Sequence, residues 1–119
     1  MDFMQPHDRN QVTMSSIDSM IAADNEVRVI DCFVDALDMK QLGFSHTVHK
    51  SEGRPPYHPK IFLKLYMYGY MNRVRSSRGL ERECERNIEV QWLLGELKPN
   101  YHSIADFRKM IRAIPAPKK

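Results

Sequence analysis

Apolar residues along this chain recur with the step of a helix, in segments separated by short breaks rich in Pro, Gly, Ser and Asn. The first fifteen residues have no usable periodicity and read as a loosely packed lead-in. Ser16 can cap a short turn running to Ile21, with Ile17, Met20 and Ile21 on one side. Asp24 is positioned to cap a longer helix to about Asp38, in which Val27, Ile30, Phe33, Val34 and Leu37 form one buried stripe. Arg28, Asp31, Asp35 and Asp38 line its opposite face, an acidic, solvated surface that phosphates would repel, so this helix reads as scaffold. Residues 39–42 can add a turn that Gly43 stops. Residues 44–58 then form a long connection for a small domain. Within it His46-Thr47-Val48-His49 alternates weakly, and Lys50 and Arg54 could serve a DNA-contacting arm or a packed crossover.

Pro59 suits the first turn of the next helix, where its missing N–H costs nothing. Over residues 60–73 only Lys60, Lys64, Asn72 and Arg73 are strongly polar, and a helix apolar nearly all round belongs in the middle of the domain. Gly69 lets a neighbouring helix cross closely, and Tyr66, Tyr68 and Tyr70 read as core rings with hydroxyls at the rim or as surfaces for stacking bases. Val74-Arg75-Ser76 is a short turn, after which Ser77 or Ser76 caps a helix over residues 78–86. Asn87 caps a short helix over 88–94 that buries Ile88, Trp92 and Leu93, and Gly95 ends it in the left-handed conformation. Ser103 starts the last helix, with Asp106 completing a capping box and Ile104, Phe107, Ile111 and Ile114 as its buried stripe. The pattern predicts an all-α bundle of about five to six short helices with a helix-turn-helix-like arrangement. One domain over 16–114, with its long loop at 43–58, would follow the lead-in 1–15 and precede a linker stub at 115–119.

Length and charge sharpen this picture. A chain of 119 residues has the size of one domain and can bury a core without staples. Its most apolar stretch, residues 61–71, contains Lys64 and falls well short of the roughly 20 residues of a membrane helix. Residues 1–10 carry no secretory signal, so a cytoplasmic location is expected. Cys32 and Cys84, each inside a predicted helix, read as buried reduced thiols. The net charge of +3 is unevenly divided: residues 1–53 hold four Lys/Arg against nine Asp/Glu, and residues 54–119 hold fourteen against six. A basic half suits a polyanion, bound through phosphate neutralisation and counterion release.

Two helices could carry that contact. Arg78, Arg82 and Arg86 are four apart and form a basic ridge facing away from Leu80 and Cys84. Glu81, Glu83 and Glu85 interleave with them, so the ridge reads equally as a salt-bridged surface. On the last helix, short Ser103 and Ala105 precede Arg108, Lys109 and Arg112, a distribution suited to a helix whose N-terminal end enters the major groove. Arg73 and Arg75 in and beside the turn are candidates for phosphate contact. Chemistry is not indicated: there is no phosphate-binding glycine loop and no nucleophile triad. No CxxC is present, and His46–His49 is the only close histidine pair, so neither catalysis nor a bound metal is expected.

Several motifs fall in an order that resembles a known family. They are Gly53-Arg-Pro-Pro-Tyr-His-Pro-Lys, Leu65-Tyr-Met-Tyr-Gly-Tyr, Arg75-Ser-Ser-Arg, Leu80-Glu-Arg-Glu-Cys, Trp92-Leu-Leu-Gly and Pro99-Asn-Tyr-His-Ser-Ile-Ala-Asp-Phe-Arg-Lys, with Val27-Arg-Val-Ile-Asp-Cys-Phe-Val-Asp-Ala-Leu-Asp upstream. Together, over about residues 16–112, they resemble the N-terminal DNA-binding domain of bacterial insertion-sequence transposases of the InsH type. The resemblance implies a helical domain that recognises the terminal inverted repeats of a mobile element as double-stranded DNA, on the nucleoid when bound. It also implies a following ribonuclease-H-like domain whose Asp-Asp-Glu triad holds divalent metal such as Mg for strand cleavage and transfer. This sequence stops where that domain would begin, so no residue is assigned to the triad, and no cofactor, membrane or small-molecule substrate is expected. The expected DNA contacts are Arg73, Arg75, Arg78, Arg82, Ser103, Arg108, Lys109 and Arg112. The rival reading is a helical protein-interaction or homodimerisation module of a transposase, or a transposase-derived regulator.

Overall fold

The structure is a computed structural model that describes residues 3–38 and 57–113, and side chains as far as residue 110. Among these residues the fold is all-helical: a 3-10 turn at Asp18–Met20 and five α-helices, α1 (Glu26–Asp35), α2 (Pro59–Asn72), α3 (Ser77–Arg86), α4 (Ile88–Leu93) and α5 (Tyr101–Ala113). The expectations for residues 39–56, including the loop histidines, Lys50 and Arg54, lie outside the described residues, as do Ile114, the stub and the side chains of Ile111 and Arg112.

The nearly all-apolar α2 is central, packing against α1, α4 and α5, while α3 packs against α4 and α5. Pro59 sits in its first turn, and His58 caps it by accepting from the Lys60 N–H. Phe62, Leu65 and Tyr68 of α2 join Val27, Ile30 and Val34 of α1, Leu80 and Cys84 of α3, Leu93 of α4 and Ile104 and Phe107 of α5 in one core.

Several local expectations are corrected. The α1 cap is Asn25, whose side chain accepts from Val27 N–H at 2.9 Å, and the helix ends at Asp35. Phe33 is 53 % exposed, because Val27, Ile30 and Val34 define a stripe that Phe33 lies about a quarter-turn away from. Cys32 is an exposed free thiol; only Cys84 is buried. In α4 the buried residue beside Leu93 is Val90, joined by Leu94 just beyond the helix, while Ile88 is exposed and Trp92 half-buried. Packing of α1, α2 and α3 on this six-residue helix, not its own pattern, selects its inner face.

The acidic face of α1 is not simply solvated. Lys64 of α2, only 8 % exposed, places its ammonium 2.7 Å from Asp31 and 3.1 Å from Asp35. Lys60 Nζ donates to the Asp35 carbonyl at 2.9 Å, at the C-terminal end of α1 where a cation complements the helix dipole. Arg28 turns back to the N-terminal segment, donating to the carbonyls of Asp18, Ile21 and Ala22 and pairing with the Asp18 carboxylate.

Candidate nucleic-acid interface

The basic side of the domain is organised by how α2 ends. Arg73 adopts φ 62°, the left-handed conformation, and Val74 N–H reaches back to the Gly69 carbonyl at 2.8 Å. That six-to-one bond closes the last turn of α2 and reverses the chain. A Cβ on Gly69 would lie 2.5 Å from the Val74 carbonyl oxygen and 2.8 Å from Leu80 Cδ2, so the glycine makes room for the turn and for α3. Ser76, and not Ser77, caps α3 by accepting from Gly79 N–H at 2.9 Å.

These constraints aim the arginines. Arg73, Arg75, Arg78, Arg82 and Arg86 are all exposed. The glutamates of α3 divide: Glu81 accepts from Tyr101 N–H at 3.2 Å, Glu83 from Asn87 Nδ2 at 2.9 Å, and Glu85 is exposed. Two of the three acids are therefore engaged with the next elements. Among the described residues the ion pairs join Arg28 to Asp18 and Lys64 to Asp31 and Asp35, and none includes an arginine of α3 or of the turn. The guanidinium of Arg78 lies over the Tyr101 ring, 4.2 Å from its centroid.

The start of α5 differs from the expectation. Asn100, not Ser103, supplies the cap: its side-chain oxygen accepts from Ser103 N–H at 2.9 Å and its carbonyl accepts from Ile104 N–H. Ser103 is thus a half-buried residue of the first turn, and Asp106 stands one turn too late for a capping box. With Glu81 on Tyr101 N–H as well, carboxylate and amide oxygens occupy two of the first-turn amides that a phosphate would otherwise use. Lys109 is exposed.

Arg108 is half-buried and held: Nε donates to Tyr66 Oη at 3.0 Å, and Nη2 donates to the Arg75 carbonyl at 2.7 Å. Tyr66 Oη in turn donates to the Ile104 carbonyl at 3.1 Å. Arg108 therefore ties α5 to α2 and to the turn. It also ends a stack of flat groups rising from the core. Phe62 stacks on Phe107 at 4.8 Å, Phe107 on Tyr66 at 5.7 Å, and the Arg108 guanidinium lies 5.2 Å from the Tyr66 centroid. Beside this stack is a concavity of about 410 Å³ lined by Tyr66, Tyr70, Val74, Arg75 and Arg108. Tyr70, 83 % exposed, forms part of its wall.

The structure thus brings Arg75 and Arg108 together across 33 residues of sequence, with Tyr66 and Tyr70 beside them. Sequence reasoning named each residue but not their meeting, since no local spacing signals it. Burial pushes the Cys84 thiol up to about 12, with the neighbouring glutamates of α3 adding to it. Burial also raises Tyr68, against the hydrogen bond its hydroxyl accepts from Asn87 at 2.6 Å. Among the described residues no three His, Cys, Asp or Glu side chains are grouped to hold a metal ion, and no helix is long and apolar enough to cross a membrane.

A family described as a transposase domain (DUF772) matches the chain over residues 15–110. No curated protein and no solved structure matches the chain.

Proposed function

This chain belongs to the transposase-domain family (DUF772), and we propose that it is the DNA-binding domain of an insertion-sequence transposase, recognising the terminal inverted repeats of its element. The observation that carries the reading is the set of exposed arginines at the α2–α3 junction. Arg73, Arg75, Arg78 and Arg82 stand in and after one tightly built turn, without acidic partners among the described residues. Such a cluster neutralises phosphates and fixes register, and base readout falls to whichever side chains reach the groove. Lys109 extends the contact along α5. Arg108, engaged with Tyr66 and Arg75, positions the turn more than it reaches outward. Ser103, half-buried in the first turn of α5, flanks the contact in this reading, and the α3 ridge leads it. In this reading strand cleavage and transfer are the work of a metal-dependent Asp-Asp-Glu centre, to which no residue is assigned.

The test is fluorescence anisotropy on a duplex of the element's terminal repeat and on a scrambled duplex, each across a salt series. Arg78→Ala with Arg82→Ala should weaken both complexes more than tenfold and flatten the slope of log affinity against log salt by roughly 2, about 0.9 per lost phosphate contact. An unchanged slope would remove these arginines from the interface.

One observation favours a second reading, a protein-interaction or homodimerisation module. Val29, Cys32 and Phe33 stand exposed together along α1. A stable dimer by light scattering that Phe33→Ser dissociates, with no DNA binding at low salt, would favour it.

A further inference from the structure

We infer that the concavity between α2, the 73–75 turn and α5 receives a single unstacked nucleobase of the bound DNA, with Tyr70 and the Arg108 guanidinium as its stacking surfaces and Arg75 on the adjoining phosphate. The inference rests on the DNA-binding reading above and adds a ligand class to it.

Three features carry it. The first is size: about 410 Å³ falls within the roughly 300–1,000 Å³ of small-molecule clefts, and its mouth is open to solvent. The second is chemistry. The lining combines two tyrosines with two arginines, and aromatic rings and guanidinium planes are the groups on which unpaired bases stack whatever their identity. The third is rigidity. The guanidinium of Arg108 is pinned by hydrogen bonds at 3.0 and 2.7 Å and rests on the stack from Phe62 through Phe107 to Tyr66. A surface fixed before binding loses little freedom on contact. Tyr70 has no such support and an exposed ring, a large apolar area left in water beside two cations. Arg75, exposed and part of the lining, is available to a phosphate beside an unstacked base. An extruded base costs unstacking energy, least where the strand is already unpaired, so the pocket would favour a frayed or bulged position over a perfect duplex.

The experiment compares three duplexes of the terminal repeat: fully paired, carrying one unpaired 2-aminopurine, and carrying an abasic site at that position. Wild-type protein should bind the 2-aminopurine duplex about five- to 150-fold more tightly than either other, the range expected for one base–aromatic stack. Binding should also quench the 2-aminopurine fluorescence. Tyr70→Ala should abolish both the preference and the quenching while leaving affinity for the paired duplex unchanged, and Tyr70→Phe should restore both. Equal affinity of wild type for all three duplexes would overturn the inference and leave the DNA-binding reading intact. Absence of binding to the paired duplex as well would overturn both.

Discussion

Arg73 occupies a position that glycine would hold more cheaply. Its φ of 62° costs an L-residue about 1–2 kcal/mol, and nothing described in the fold requires its guanidinium. The turn that closes α2 requires the left-handed backbone but not an arginine side chain, and an arginine kept where glycine is cheaper is read as serving a contact. Arg73→Gly should therefore raise stability by about 1 kcal/mol in urea denaturation, since the left-handed strain outweighs glycine's extra entropy, and weaken DNA binding severalfold. A stabilised variant with full affinity would show that the arginine is merely tolerated there. The two thiols make a second contrast between single residues. Cys32 is exposed and Cys84 is buried, with burial pushing its thiol to about 12. Ellman's reagent at neutral pH should titrate one thiol in the native protein and the second only in denaturant; rapid reaction of both would contradict the burial of Cys84.

At the scale of elements, α3 depends on a cap that its own glycine permits. A Cβ on Gly79 would meet Ser76 Oγ at 2.8 Å and Val74 Cγ1 at 3.1 Å, so an alanine there pushes the capping hydroxyl away. Gly79→Ala gains about 1 kcal/mol in helix propensity but loses a cap of similar worth, giving little net change. With Ser76→Ala already in place the cap is gone, and the same change should stabilise by about 0.5–1 kcal/mol. Urea denaturation of the four proteins should give a coupling of about 0.5–1 kcal/mol between the two positions, and strict additivity would sink the argument. Such caps explain how much of the fold was legible in the chain. Pro59, Gly95 and the apolar run of α2 announce their elements because the relevant forces act within one turn of helix. The inner face of α4 and the exposure of Phe33 were not legible, being decided by which neighbours happen to cover them. The candidate interface divides the same way. The ridge Arg78, Arg82, Arg86 follows from spacing alone. The withdrawal of Glu81 to Tyr101, the seat of Arg108 on Tyr66 and the concavity beside it depend on contacts 20 or more residues apart.

For the molecule as a whole, the acidic and basic halves are fastened through carboxylates of the acidic half. Two clasps do this, and they fail at opposite ends of the pH scale. Lys64 is partly buried, which opposes its charge, but hydrogen bonds and attraction from Asp31 and Asp35 outweigh that burial and raise its pKa above the ordinary 10.5. A raised folded value means stability that is complete below the ordinary value and lost as pH climbs through the raised one, so the α1–α2 clasp fails in alkali. The second clasp is Asp18, which accepts from Trp92 Nε1 at 2.8 Å and pairs with Arg28 at 3.1 Å. The indole N–H, then the Arg28 guanidinium, hold its carboxyl below the ordinary 3.8. A lowered folded value has the opposite sign: the contribution is present above 3.8 and lost as pH falls through the lowered value. Trp92 is the only tryptophan in the chain and lies half-buried under Arg28, whose guanidinium is 4.9 Å from its ring. Its fluorescence therefore reports whether residues 18–22 remain fastened to α1 and α4. Acidification should change the Trp92 emission with a midpoint below 3.8, before the far-ultraviolet helical signal falls. Asp18→Asn should remove that early step at every pH while leaving the helical signal at neutral pH unchanged. A tryptophan transition coincident with loss of helix in both proteins would mean that the N-terminal segment opens only when the whole domain does.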